Sequence, residues 1–160
     1  MTDQNRAREG GCRCDRVRFM ISAPPIITAA CHCTGCQRMT GSAFSLSIAV
    51  PSQGFSVTKG EPAIGGLHGP SRHYFCPHCM SWLFTRPEGF DAFVNVRATM
   101  LDDPADFVPF IETMTSEKLP WATTPAVHSF EKFPPVDRYQ SLAEQYSAQA
   151  KKAGAGGTKW

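Results

Sequence analysis

Between residues 15 and 21 the chain alternates, with Val17, Phe19 and Ile21 on one side and Arg16 and Arg18 on the other. A period of two is the mark of a strand with one buried face. Pro24-Pro25 ends it, and residues 26–30 read as a short strand entering a cysteine cluster. Residues 37–42 predict a turn or a single helical turn, and 43–50 a strand stopped by Pro51. Further strands are expected over 55–59, 72–75, 82–85, 93–97 and 107–115. Glycine-rich chain at 64–70 and Leu101-Asp102-Asp103-Pro104 supply loops and turns. Residues 118–135, rich in proline and aromatics, are expected to wrap over the sheet without regular structure. Beyond Asp137, which can cap a helix, Tyr139, Leu142, Ala143, Tyr146 and Ala150 follow helical spacing as far as Gly154.

The pattern therefore predicts a mainly β fold of small antiparallel sheets with a C-terminal helix. Its expected organisation is a flexible leader over 1–9, one zinc-binding β domain over 10–135, a helix over 136–153 and a disordered tail over 154–160. Length agrees, since 160 residues suit one domain able to bury a core of its own. Composition sharpens the picture little: 42% hydrophobic and 19% charged residues fit a globular protein, and 13 glycines with 13 prolines fit many turns. The polar opening MTDQNRAREGG has no apolar core of a secretory signal, and no run is long enough to span a membrane. A cytoplasmic, reducing location is the expectation, in which clustered cysteines serve metals or catalysis more than disulfides. The formal charge of +2 would become −1 if seven thiolates held two Zn²⁺ ions, so charge gives no support for nucleic-acid binding.

Seven cysteines fall in three groups: Cys12-Arg13-Cys14, Cys31-His32-Cys33-Thr34-Gly35-Cys36 and Cys76-Pro77-His78-Cys79. Two pairs far apart in sequence can make a Cys₄ zinc site, tying an N-terminal strand to the tip of a later hairpin. The C-x-C pair is expected on extended chain, where alternate side chains share a face. Cys31, Cys33 and Cys36 then remain for a second ion. Three sulfurs leave one position of a tetrahedral zinc open, as catalytic zinc sites do. A competing division uses this trio with one further cysteine for a single structural ion, and a third leaves the trio as free or oxidised thiols.

Around the trio, Arg38 is a candidate for holding a substrate carboxylate. Gly41-Ser42-Ala43-Phe44 could let a ligand approach the backbone, so Ser42 and Phe44 join the candidates, and Trp121 is a candidate lid or stacking group. His32, between two ligands, should point away from them. His78 is expected in solvent. His68 and His73 could reach the open position or shuttle protons, with packing as the plainer role.

Together these residues resemble the glutathione-dependent formaldehyde-activating enzyme family, which includes centromere protein V. The resemblance runs through Gly11-Cys12-Arg13-Cys14, Val17-Arg18-Phe19, Cys31-His32-Cys33-Thr34-Gly35-Cys36-Gln37-Arg38, Gly41-Ser42-Ala43-Phe44, Cys76-Pro77-His78-Cys79, Leu101-Asp102-Asp103-Pro104 and Lys118-Leu119-Pro120-Trp121. It implies a β-tent clasped by a structural zinc on Cys12, Cys14, Cys76 and Cys79, and a functional zinc on Cys31, Cys33 and Cys36. The implied activity is that of a carbon–sulfur lyase joining glutathione and formaldehyde as S-hydroxymethylglutathione. Met80 departs from the family's pattern, which has glycine after the last knuckle cysteine, and residues 107–115 lack the histidine often found there. The C-terminal helix lies outside the matched part and is a candidate for oligomerisation. Two other classes compete: a zinc-clasped module binding protein or nucleic acid without catalysis, and a redox-sensing thiol cluster.

Overall fold

Alternating burial sets the strands, and the strands form two sheets. The computed structural model describes residues 6–65 and 69–156. Strands β1 (Arg8–Gly11), β2 (Arg18–Ile21) and β5 (Phe55–Lys59) form an antiparallel sheet in the order β1-β2-β5. The other eight are β3 (Ile27–Cys31), β4 (Ser45–Pro51), β6 (Ala63–Gly65), β7 (Ser71–Phe75), β8 (Trp82–Pro87), β9 (Phe93–Arg97), β10 (Ile111–Thr113) and β11 (His128–Ser129). They order as β11-β10-β3-β4-β9-β8-β7-β6. This larger sheet is mixed, because β10 runs parallel to both β3 and β11. The fold is mainly β, as expected, but one of its two sheets is neither small nor wholly antiparallel.

Val17, Phe19 and Ile21 from the β2 region are each at most 2% exposed, so the alternation read from sequence marks a core face. They meet Ile48, Val50, Leu83, Val94 and Val96 from the large sheet in one apolar cluster between the sheets. Ala49, on the opposite face of β4, joins Ile27, Ile111 and Phe110 under Leu142 of the C-terminal helix α2 (Tyr139–Gly156). Leu142 is fully buried, which explains why this helix docks on the sheet.

Several boundaries differ from the sequence reading. Strand β1 begins at Arg8, inside the segment read as leader; Met1–Asn5 lie outside the described residues. Gly10 is needed there, because a Cβ would stand 2.5 Å from the Met100 carbonyl oxygen where the chain crosses over. Asp137 lies in a 3₁₀ turn (Val136–Arg138), and α2 runs on to Gly156, past Gly154. Residues 157–160 lie outside the description. Only Ile111–Thr113 of 107–115 is strand. Within 118–135, the pair His128–Ser129 adds a short edge strand because its backbone meets β10 in register.

Among the described residues, no helix is long and apolar enough to cross a membrane.

Candidate metal centres and the cavity between them

Two turns carry the four-sulfur group. Cys12 and Cys14 lie in the turn between β1 and β2, rather than on extended chain. The Asp15 amide bonds the Cys12 carbonyl at 3.0 Å, and Asp15 takes a φ of 61°. A turn brings the two Sγ atoms to 3.5 Å, which simple alternation along a strand would not. Cys76 and Cys79 lie in the turn joining β7 and β8, as the hairpin-tip reading expected; the Met80 amide bonds the Cys76 carbonyl at 3.0 Å. The Cys14 and Cys76 sulfurs approach to 3.7 Å, and all four sulfurs lie within 4.8 Å of one another. A tetrahedral zinc with Zn–S bonds of about 2.3 Å needs sulfurs about 3.8 Å apart. The donor set therefore fits a closed Cys₄ zinc site. The Val17 amide also donates to the Cys12 Sγ at 3.3 Å, as suits a sulfur carrying negative charge.

Met80 takes a φ of 59°. An L-residue pays about 1–2 kcal/mol for left-handed backbone, and Met80 is 62% exposed with little packing to offset it. Met80→Gly is expected to stabilise the protein by about 0.5–1 kcal/mol, read as a higher urea midpoint at unchanged slope.

The trio sits at the end of β3. Cys31 closes that strand; Cys33, with extended backbone (φ −61°, ψ 149°), caps the short helix α1 (Thr34–Thr40), and its Sγ accepts from the Cys36 amide at 3.3 Å. Gly41 (φ 65°) ends α1 in the left-handed conformation that glycine adopts without cost. The three sulfurs lie within 4.8 Å of one another and form a group separate from the other four. Among the described residues no further cysteine joins the trio within that distance, which favours the division into four and three over one in which the trio takes a further cysteine. The Cys36 thiol hydrogen-bonds Cys31 and, against the effect of burial, lowers its pKa to about 5, while the same bond pushes Cys36 far up. Burial also raises Cys33. Three soft donors crowded this closely suit a thiophilic cation such as Zn²⁺. All seven cysteines are free of disulfides.

Against α1, the helix that carries Cys36, lies a cavity of about 490 Å³, lined in part by Met39 and Thr40 of that helix and by Ser42, Phe44, Trp82 and Arg97. Ser42 and Phe44 are thus at its wall. Arg38 is exposed on α1 and is not among the lining residues, and Trp121 is 73% exposed and equally apart from it. Arg97, which the sequence reading passed over, is 7% exposed. Its guanidinium lies 4.1 Å from the Trp82 ring centre. Burial pulls its pKa down to about 10, against the charge of the Cys36 and Cys31 sulfurs. No sequence pattern marks it, since Phe93–Arg97 reads as an ordinary strand ending in a surface charge.

His32 is fully buried and its Nε2 lies 2.9 Å from the Glu112 Oε2; its ring packs on Phe44 with centres 5.4 Å apart. Glu112, also missed, is 6% exposed at the centre of β10. It accepts from Lys118 at 2.9 and 3.0 Å, Thr124 at 2.9 Å and Ser129 at 2.6 Å. A lone acid inside the apolar Phe110-Ile111-Glu112-Thr113 run was its one visible signal. Glu117 accepts from the Thr34 amide and hydroxyl, and the Gln37 side-chain amide donates to the His32 carbonyl at 2.7 Å, so the loop bearing the trio is tied down from both sides. His73 bonds the Thr85 hydroxyl at 2.9 Å and packs edge-on to Trp82; His78 is exposed; His68 lies outside the described residues.

No protein of curated function matches the chain in sequence. Among solved structures, the chain is similar to a structural-genomics crystal structure of a Rhodobacter sphaeroides protein, with a TM-score of 0.51 at 17% identity, covering 61% of this chain and 93% of that one. That likeness bears on the fold alone. A family model described as glutathione-dependent formaldehyde-activating enzyme matches residues 7–117, a span holding both sulfur groups and the cavity, and the chain belongs to that family.

Proposed function

We propose that Cys31, Cys33 and Cys36 hold a functional Zn²⁺, and that the protein is a carbon–sulfur lyase acting on a glutathione-like thiol and a small aldehyde such as formaldehyde. The observation carrying this reading is the contrast between the two sulfur groups: four donors complete a tetrahedral set, whereas three, on a segment whose helix α1 walls a cavity, leave it one short. Bound there, zinc would act as a Lewis acid that favours the thiolate form of a substrate thiol. The chain itself supplies proximity, with the cavity wall confining thiol and aldehyde together. In the reaction the thiol sulfur adds to the aldehyde carbon, the carbonyl π bond breaks, and the proton lost from sulfur ends on oxygen as the hydroxyl of a hemithioacetal. Ser42, a residue of the lining, would hydrogen-bond that oxygen. Phe44 keeps His32 packed against Glu112, which holds the Cys31–Cys33 segment in register. A reducing compartment such as the cytoplasm suits seven free thiols.

The test is metal analysis of wild type and Cys33→Ser, each with and without glutathione. Two zincs per wild-type chain, and one in a Cys33→Ser variant of unchanged circular dichroism, are expected, with glutathione binding at least tenfold weaker in the variant. One zinc in both proteins would rule the reading out.

A further inference from the structure

Arg97 is a buried cation without a counter-ion of the usual kind. Among the described residues no carboxylate lies within salt-bridge distance of it. One Nη donates to the Asn95 carbonyl at a long 3.4 Å, and Nε has no partner among the described residues. Burying a guanidinium whose Nε–H goes unmatched is costly, and such arrangements persist where a ligand completes them.

Arg97 is among the residues lining the cavity described above, and the cavity has two walls of different origin. Met39 and Thr40 come from α1, where the Thr40 hydroxyl donates to the Cys36 carbonyl at 2.8 Å. Met80 and Ser81 come from the turn of the four-sulfur group, where the Ser81 hydroxyl lies 3.2 Å from the Cys79 sulfur. The cavity is therefore walled by both segments, the helix that carries Cys36 and the turn that carries Cys76 and Cys79, with a cation in its lining. Its volume suits a small peptide-sized ligand. A single planar guanidinium, with no lysine in the lining, matches a planar monoanion better than a phosphate.

We infer that Arg97 is the carboxylate anchor of this cavity, the residue that holds a carboxylate of the thiol substrate. The anchor rests on the burial of Arg97 and its place in the lining; that the carboxylate belongs to the thiol substrate rests on the proposed function.

The experiment separates the two by using S-methylglutathione, which keeps the carboxylates but has no free thiol to ligate a metal. Its binding to the zinc-loaded protein is measured by calorimetry in wild type, Arg97→Gln, Arg97→Lys and Arg38→Gln. Binding to wild type, weakened at least tenfold in Arg97→Gln, partly restored in Arg97→Lys and unchanged in Arg38→Gln, is expected. Equal affinity of wild type and Arg97→Gln overturns the assignment, as does loss in Arg38→Gln alone or failure of wild type to bind. Zinc content serves as a second readout: loss of one zinc in Arg97→Gln with S-methylglutathione binding intact would assign the guanidinium to balancing the sulfurs and overturn the anchor. If Arg97→Gln does not fold, the Arg97 Nε–H resonance of wild type is followed during titration with S-methylglutathione. A shift that saturates with binding supports the anchor, and an unmoved signal overturns it. Failure of the zinc test on Cys33→Ser would leave this result standing, so the two readings fail separately.

Discussion

Cys76→Ser is expected to unfold the protein or to cost about 5 kcal/mol or more, a loss comparable with the whole stability of an ordinary domain. Cys76 is fully buried, and its sulfur joins the turn after β1 to the turn after β7 across 62 residues of chain. The four sulfurs thus fasten the three-stranded sheet to the eight-stranded one. Structural zinc contributes on the order of 10 kcal/mol of coupled folding free energy in small domains, and serine is a poor replacement for a thiolate. The same loss should follow chelation of the wild type. Urea unfolding followed by circular dichroism, with zinc measured alongside, checks both. A Cys76→Ser protein with the wild-type midpoint would show that the four-sulfur group does not clasp the fold.

The second large effect is expected at Glu112. Glu112→Ala should cost about 3 kcal/mol, because it leaves His32 buried and Lys118, Thr124 and Ser129 without their acceptor. The pH dependence carries a sign that can be checked. Burial would raise the carboxyl's pKa, but hydrogen bonds from Ser129, Lys118, Thr124 and His32 outweigh it and hold the value down from 4.5 to about 2. A folded-state pKa below the unfolded one means that the ionised form stabilises the fold. That contribution is complete above pH 4.5, and it fades as pH falls from 4.5 towards 2. The difference in unfolding free energy between wild type and Glu112→Gln should therefore shrink across that window. Taking the difference removes the protonation of cysteines common to both proteins. A gap independent of pH over that window would show that the carboxyl is not held ionised by its partners.

Much of the frame was legible along the chain. Residues 55–59 and 93–97 are strands with the very bounds that their patterns suggest, and Val17, Phe19 and Ile21 do face the core. Local chemistry explains this success: alternation reports which side of a strand is wet, and proline or glycine marks where it stops. Cysteine spacing was equally informative, since loops of one or two residues hold sulfurs together almost irrespective of what surrounds them. Boundaries resting on longer-range contacts were harder. The helix α1 starts at Thr34 because Cys33 caps it and Glu117 takes the Thr34 amide, and the second of these partners is 83 residues away.

The sequence alone settles that seven cysteines divide into two pairs and a trio, and that short strands dominate, because both depend on neighbours a few bonds apart. Tertiary structure decides which charges are buried. Glu112 and Arg97 stand in strands that read as unremarkable, and their surroundings in the folded sheet, with β10 paired to β3 and β9 to β4, take them out of water. Burial is a property of everything packed around a side chain, and Trp121, prominent along the chain, lies in solvent for the same reason that Arg97 does not.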